Sequence, residues 1–562
     1  MKTLLLSLLQ LINFASCQFC QKDSLCSESS VLVQTKLGSF IGSKEVLNDV
    51  QLSVFKGIRF AQPPVGSLRF ADPVPVIEPW YEPKNVSSYG NSCPRSKADT
   101  YDEDCLFLNI WSPSVGKRSK PVMVFIHGGS FNMGSGSEKS GAALASRGDV
   151  VVVTFNYRLG FFGFFFNLTE NHLTKNHLTE NHLTENGGSN MGMKDQVLLL
   201  KWVQENIQFF GGDPNEVTLF GHSAGGISVG MHLLSPSSTP YFKRGIIESG
   251  TPFSFLRPDT LRVASEKSFS LSKFLKCSSE TDSSISEKAL ECLRSAKPEE
   301  ILTYGSNEPM HSLILPNPVY GDDFFPKRAD VAFQEQITPL KDVIIGMEKS
   351  EGESFVRRKL GFLGSNYHVN LTYDMIQEYN HKLYDGKLTN EQQLLLFDYY
   401  FKNMESSDSE KLKNQLFQAY GDLYVYCPSY FYARFYDRKK SNEKIFMYLL
   451  NFKVTHPENH HCDGICHGEE LPLVFGLPFL FPDRYTDRDR GLSDQIINYW
   501  SSFAKGQSED SIKWTLFEKE NEVYNSFYES DTRQENEKFR NCDNFWKHIF
   551  EEREMTLVET KF

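Results

Sequence analysis

Ser223 sits in Gly221-His222-Ser223-Ala224-Gly225, between an apolar run, Val217 to Phe220, and a helical pattern, Gly226 to Leu234. Strand, sharp turn and helix would present its hydroxyl at a helix N-terminus, where free N–H groups favour developing negative charge. The small residues on either side permit a crowded turn. A serine placed this way suits attack on a carbonyl carbon. It then needs a base, an acid to orient the base, and donors for the oxyanion. The donor candidate is His127-Gly128-Gly129-Ser130-Phe131, directly after the apolar run Pro121 to His127. Consecutive glycines let N–H groups approach a reacting oxygen, so Gly128 and Gly129 are assigned, with the Ala224 N–H as third donor. Glu348, Glu351 and Glu353 cluster at the end of the apolar run 343–347, and position alone does not separate them as the acid. With 14 histidines in the chain, a late histidine means little by itself; His467, in the segment Gly464 to Gly476, is the candidate base.

The elements that must hold these groups alternate between buried-strand and helical patterns from about Pro121 to Gly250. Pro121 to His127, Val150 to Tyr157, Val217 to Phe220, Gly245 to Ile247 and Val343 to Gly346 read as strands. Asp195 to Phe210 reads as a helix, because Val197, Leu200, Val203 and Ile207 recur at helical spacing and Gly211-Gly212 ends it. Such alternation predicts an α/β protein built on a large, mostly parallel central sheet flanked by helices. Residues 256–340 and 355–440 read as helical excursions from that sheet.

The chain has 562 residues, 40% hydrophobic and 13% aromatic, enough for a large core. Its net charge of −12 argues against nucleic acid as a partner. Met1-Lys2 followed by the apolar run to Ile12, with Ala15-Ser16-Cys17 as cleavage site, reads as a signal peptide over residues 1–17. That leaves residues 18–562 as the catalytic domain, with no transmembrane segment expected. Cleavage removes one of 11 cysteines and leaves an even number for an oxidising compartment. Sequons at Asn85, Asn167 and Asn370 are consistent with glycosylation there. Together these features place the protein outside the cell or in the lumen of a secretory or endocytic vesicle. A period-five repeat occupies a low-complexity insertion at about 167–187. Its His172, His177 and His182 would not converge on a helix, so the segment reads as a solvated loop.

Four longer segments carry a resemblance. Phe210 to Gly225, Glu103 to Pro113, Gly57 to Phe70 and Asn156 to Gly160 together resemble the type-B carboxylesterase/cholinesterase family, and the likeness runs from roughly residue 30 to 550. It implies the α/β-hydrolase fold in a single catalytic domain, with serine, acid and histidine in that chain order. It singles out His467 as base and Glu351 as acid, because Glu351-Gly352 precedes a Ser-Phe pair as in the family. Ser249 would be the hydroxyl that steadies the acid. It also implies the disulfides Cys93–Cys105, Cys277–Cys292 and Cys427–Cys542, and buried ion pairs of Arg69 with Glu103 and Arg158 with Asp195. The remaining cysteines are paired as Cys20–Cys26 and Cys462–Cys466. The run Cys462 to Pro472 resembles amoebal members of the family, of the Dictyostelium crystal-protein type. A zinc site from His460, His461, Cys462 and Cys466 is the competing arrangement, disfavoured because His467 must stay free as base.

Two features depart from cholinesterases. Those enzymes carry an acidic residue before the serine, where this chain has His222. They also place a tryptophan between the first two disulfide cysteines to hold a quaternary ammonium, and residues 94–104 contain none. The expectation is a general carboxylesterase acting on small-molecule esters through an acyl-enzyme, with no metal or organic cofactor. A storage or adhesion protein and a lipase are the alternative readings. The resemblance says nothing of oligomeric state.

Overall fold

Long, unbroken apolar strands need cover on both faces, and this chain supplies it. In the computed structural model, the described residues are 29–551 except 48, 96–99, 117–118, 167–187, 255–257, 307–314, 362–369, 385–386, 406–407, 438–442, 456–461, 508–513 and 529–531. Thirteen strands among these form one sheet. They are β1 (Ser30–Gln34), β2 (Ser39–Leu47), β3 (Val50–Arg59), β4 (Lys84–Asn85), β5 (Phe107–Ser112), β6 (Lys120–Ile126) and β7 (Val151–Phe155), then β8 (Gly212–His222), β9 (Arg244–Glu248), β10 (Asp342–Glu348), β11 (Ile445–Leu450), β12 (Tyr524–Phe527) and β13 (Thr532–Glu535). The order across the sheet is β1-β2-β3-β5-β7-β6-β8-β9-β10-β11-β12-β13, with β4 beside β2. From β7 to β12 every pairing is parallel. The pairs β1–β2, β2–β3, β3–β5, β5–β7 and β12–β13 are antiparallel, and the short β4 lies parallel to β2.

Alternate residues feed two separate cores, as the period-two geometry of strands requires. Val122, Val124 and Ile126 of β6 enter one cluster, and Met123 and Phe125 enter the other. Val343, Ile345 and Met347 of β10 join the first, and Ile344 joins the second. The sheet is therefore covered on both faces, as parallel sheets are.

The helix read from residue 195 starts earlier, as α1 (Met191–Asn206), and Ile207–Phe210 tightens into a 3-10 turn. Tertiary contacts set that start. The Asn190 side chain is tied to Val319 O and Asp322 Oδ2, and Met191 is buried. The elbow helix, α2, spans Ala224–Leu233. The excursions hold helices such as Leu261–Phe274 and Asn390–Phe401.

Arg158 pairs with Asp195 at 2.8 Å with both side chains buried, and Arg69 pairs with Glu103. Disulfides join Cys93–Cys105, Cys277–Cys292, Cys427–Cys542 and Cys462–Cys466. The proposed Cys20–Cys26 bond, the leader, the insertion with Asn167, and His460 and His461 lie outside the described residues. Asn85 and Asn370 are exposed. No helix among the described residues is long and apolar enough to cross a membrane.

Candidate active site

The carboxyl ends of the parallel strands are where an open α/β sheet collects chemistry, and five of them converge here. β6 runs into Gly128 and Gly129, β8 into Ser223, β9 into Ser249, β10 into Glu351, and β11 leads by a longer loop to His467.

Ser223 holds φ +57° and ψ −121°, a backbone conformation that costs energy and persists only where its surroundings enforce it. Its N–H donates to Glu248 O at 2.8 Å, and its carbonyl accepts from Ile227 N–H at 2.9 Å. A side chain at Gly225 would place a Cβ 1.9 Å from Ile126 O, so the turn closes only with glycine there. Gly128 presses on the same elbow: its Cβ would lie 2.6 Å from His222 O and 3.1 Å from Ser223 Cβ. Gly129 holds φ +110°. Ala224 is the first residue of α2, the position whose N–H is free of helical bonds. Behind this loop, Tyr157 Oη donates to His127 O at 2.9 Å and its ring stacks on the His127 imidazole.

The structure brings His467 onto Glu351: Nδ1 and Oε2 are 2.7 Å apart. Glu351, fully buried, opens α3 (Glu351–Leu360). Its Oε1 accepts from the Glu348 N–H at 2.9 Å and from Ser249 Oγ at 2.6 Å. Burial pushes the Glu351 carboxyl up. The hydrogen bond from the Glu348 side chain, the charge and hydrogen bond of His467, and the Ser249 hydroxyl outweigh it and bring it down to about 2. Its two rivals do other things. Glu348 is held protonated by burial and by the neighbouring charges of Glu351 and Glu470, and it meets Ser249 from the other side. Glu353 accepts from Asp463 N–H at 2.7 Å and Gly464 N–H at 2.9 Å, bracing the loop that carries His467.

Sequence reasoning missed several residues that position this site. Tyr426 Oη donates to Lys349 O at 2.6 Å and accepts from the Glu351 N–H at 3.0 Å, clamping the turn that holds Glu351. Lys538 Nζ donates to the same Lys349 carbonyl at 3.0 Å. Glu248 and Glu470 are buried beside Glu348, and Trp500 Nε1 donates to Glu248 Oε1 at 2.8 Å. No local pattern marks these residues; they come from distant segments that only the tertiary fold brings together.

His222 packs its ring 4.3 Å from that of His467. Burial, then the neighbouring His467, lowers its pKa well below the ordinary imidazole value, so it is neutral.

The buried carboxyls make stability depend on pH. Burial raises Glu248 well above its ordinary value, and the Glu470 charge adds to this. Such a group is protonated in the folded chain and ionised in the unfolded one above the ordinary carboxylate pKa. Its contribution is thus complete at acid pH and lost as pH rises toward the folded pKa, at about 1.4 kcal/mol per pH unit. Glu351 has the opposite sign: its contribution is present above the ordinary value and lost as pH falls toward about 2. Glu248→Gln keeps an acceptor for Trp500 and removes the proton. Its melting temperature is expected to fall less than the wild type's between pH 5 and pH 8. Parallel melting curves across that range would overturn the assignment of a buried proton to Glu248.

A profile of the carboxylesterase family matches residues 29–546. The chain is 31% identical over 530 residues to the cholinesterase of Mus musculus, an alignment covering 89% of this chain and 83% of that protein. It is 33% identical over 494 residues to the acetylcholinesterase of Bungarus fasciatus, covering 84% and 78%. It is 31% identical over 514 residues to acetylcholinesterase-1 of Trittame loki, covering 85% and 86%.

Proposed function

The chain belongs to the carboxylesterase family, and from that premise we propose that it hydrolyses neutral carboxylic esters through Ser223, His467 and Glu351. It is a serine carboxylic-ester hydrolase. The observation that carries the assignment of its parts is the 2.7 Å contact of His467 Nδ1 with an ionised, buried Glu351.

In the first step His467 Nε2 takes the Ser223 proton as Oγ attacks the ester carbonyl. The Gly128, Gly129 and Ala224 N–H groups hold the oxyanion. The imidazolium, stabilised by Glu351, gives its proton to the leaving alcohol and an acyl-enzyme remains. Water, deprotonated by His467, then releases the acid and regenerates the serine.

Choline esters are not the proposed substrates, although the similar proteins named above are cholinesterases. The residue before the serine is a neutral His222, which offers no negative charge to a quaternary ammonium. Residues 94–104 supply no tryptophan face. The disulfides support a place in the secretory pathway. The test compares p-nitrophenyl acetate, butyrate and palmitate with acetylthiocholine. Serine-dependent turnover of the short aryl esters, at least tenfold above acetylthiocholine in kcat/KM, is the expected result. Equal efficiency on acetylthiocholine would overturn the specificity. Strong activation by emulsified palmitate esters would favour a lipase.

A further inference from the structure

Two imidazoles at the end of the elbow carry buried ring nitrogens with nothing to bond. His222 Nε2 and His467 Nε2 have no hydrogen-bond partner among the described residues. An unsatisfied buried donor or acceptor is costly, and two facing groups together mark a space that favours a polar occupant. One ligand atom from each of His222, Glu348 and His467 lies within 4.8 Å of the other two. Glu470 stands at the edge of the group, with Oε1 3.7 Å from His222 Nε2. His222 is only 7% exposed.

We infer that His222, His467 and Glu348, with Glu470 at the margin, form an inhibitory site for a transition-metal dication such as zinc. Two imidazoles with carboxylates match zinc, whereas calcium and magnesium prefer oxygen donors alone, and zinc binding releases to solvent the proton that Glu348 holds in the metal-free chain. A metal-bound histidine commonly gives its other ring N–H to a carboxylate, and His467 already has this arrangement with Glu351. Bound at His467 Nε2, zinc takes the lone pair that would accept the Ser223 proton. Bound at Nδ1, it displaces Glu351. Either way the base is lost, so the loss of activity rests on the reading of His467 given above, whereas binding does not. The second acid-and-cysteine group, Glu353 with Cys462 and Cys466, offers no thiolate because the two sulfurs are joined.

The experiment is calorimetric titration of zinc chloride into Ser223→Ala protein and into the same protein carrying His222→Asn. Inhibition of wild-type p-nitrophenyl acetate hydrolysis, and its reversal by a chelator, is followed in parallel. Micromolar binding in the first protein, weakened at least tenfold by His222→Asn, is expected, with reversible inhibition at the same concentrations. Glu470→Gln, which preserves volume, serves as a second variant and is expected to weaken binding too. No zinc binding, or binding unchanged by both variants, overturns the site. A chain that binds zinc in this way but hydrolyses no ester overturns the esterase reading and leaves the site standing. One that hydrolyses esters without binding zinc does the reverse.

Discussion

Ser223→Ala is expected to lower kcat on p-nitrophenyl acetate by roughly 10⁴- to 10⁶-fold and to leave the protein folded. The magnitude follows from the loss of the covalent path: what remains is water attacking a carbonyl held in the oxyanion hole. The fold survives because the Ser223 hydroxyl makes no hydrogen bond among the described residues. The elbow is held instead by the backbone, through Ser223 N–H to Glu248 O at 2.8 Å and Ser223 O to Ile227 N–H at 2.9 Å. Alanine keeps the Cβ and so keeps the strain already present at φ +57°. Circular dichroism and a melting curve close to the wild type's would accompany the lost activity, and a fluorophosphonate probe would no longer label the protein. Wild-type turnover by the alanine variant would sink the assignment of the nucleophile.

The contrast between what the chain reveals and what it hides has a physical basis. β6, β8 and β10 are legible because a parallel strand buried on both faces is a continuous apolar run. The N-terminal antiparallel strands are not. Along β2, burial alternates in its second half, and Val46 is 72% exposed. Ser223 and its glycines are legible because the elbow is contiguous, so its steric demands fall on neighbouring residues. The acid is different. Glu348, Glu351 and Glu353 lie within six residues and are all buried. Which one meets His467 depends on the turn from β10 into α3, and that turn is set by Tyr426 from a distant helix. Glu248 ends β9, Glu470 lies in the segment after β11 and Trp500 sits in the helix Asp487–Ala504, so these three meet only through the tertiary fold, which no local pattern records.

Glu351→Gln is the substitution that separates the three glutamates, and it is expected to reduce kcat about 10³- to 10⁴-fold with little change in KM. The argument is one of hydrogen-bond polarity. Oε1 of Glu351 accepts the Glu348 backbone N–H at 2.9 Å, so the glutamine carbonyl oxygen must occupy that position. Its amide group then faces His467 Nδ1, a donor where the carboxylate had accepted. The imidazole can satisfy that donor only by carrying its proton on Nε2, which leaves no lone pair for the Ser223 proton. The variant also loses the negative charge that stabilises the imidazolium in the transition state. Glu348→Gln makes none of these changes, because Glu348 is already neutral in the folded chain. Its kcat is expected to stay within about tenfold of the wild type. Kinetics of the two variants at pH 8, with melting curves to verify folding, discriminate cleanly. A thousandfold loss in Glu348→Gln beside an active Glu351→Gln would exchange their roles and transfer the orienting function to the residue at the end of β10.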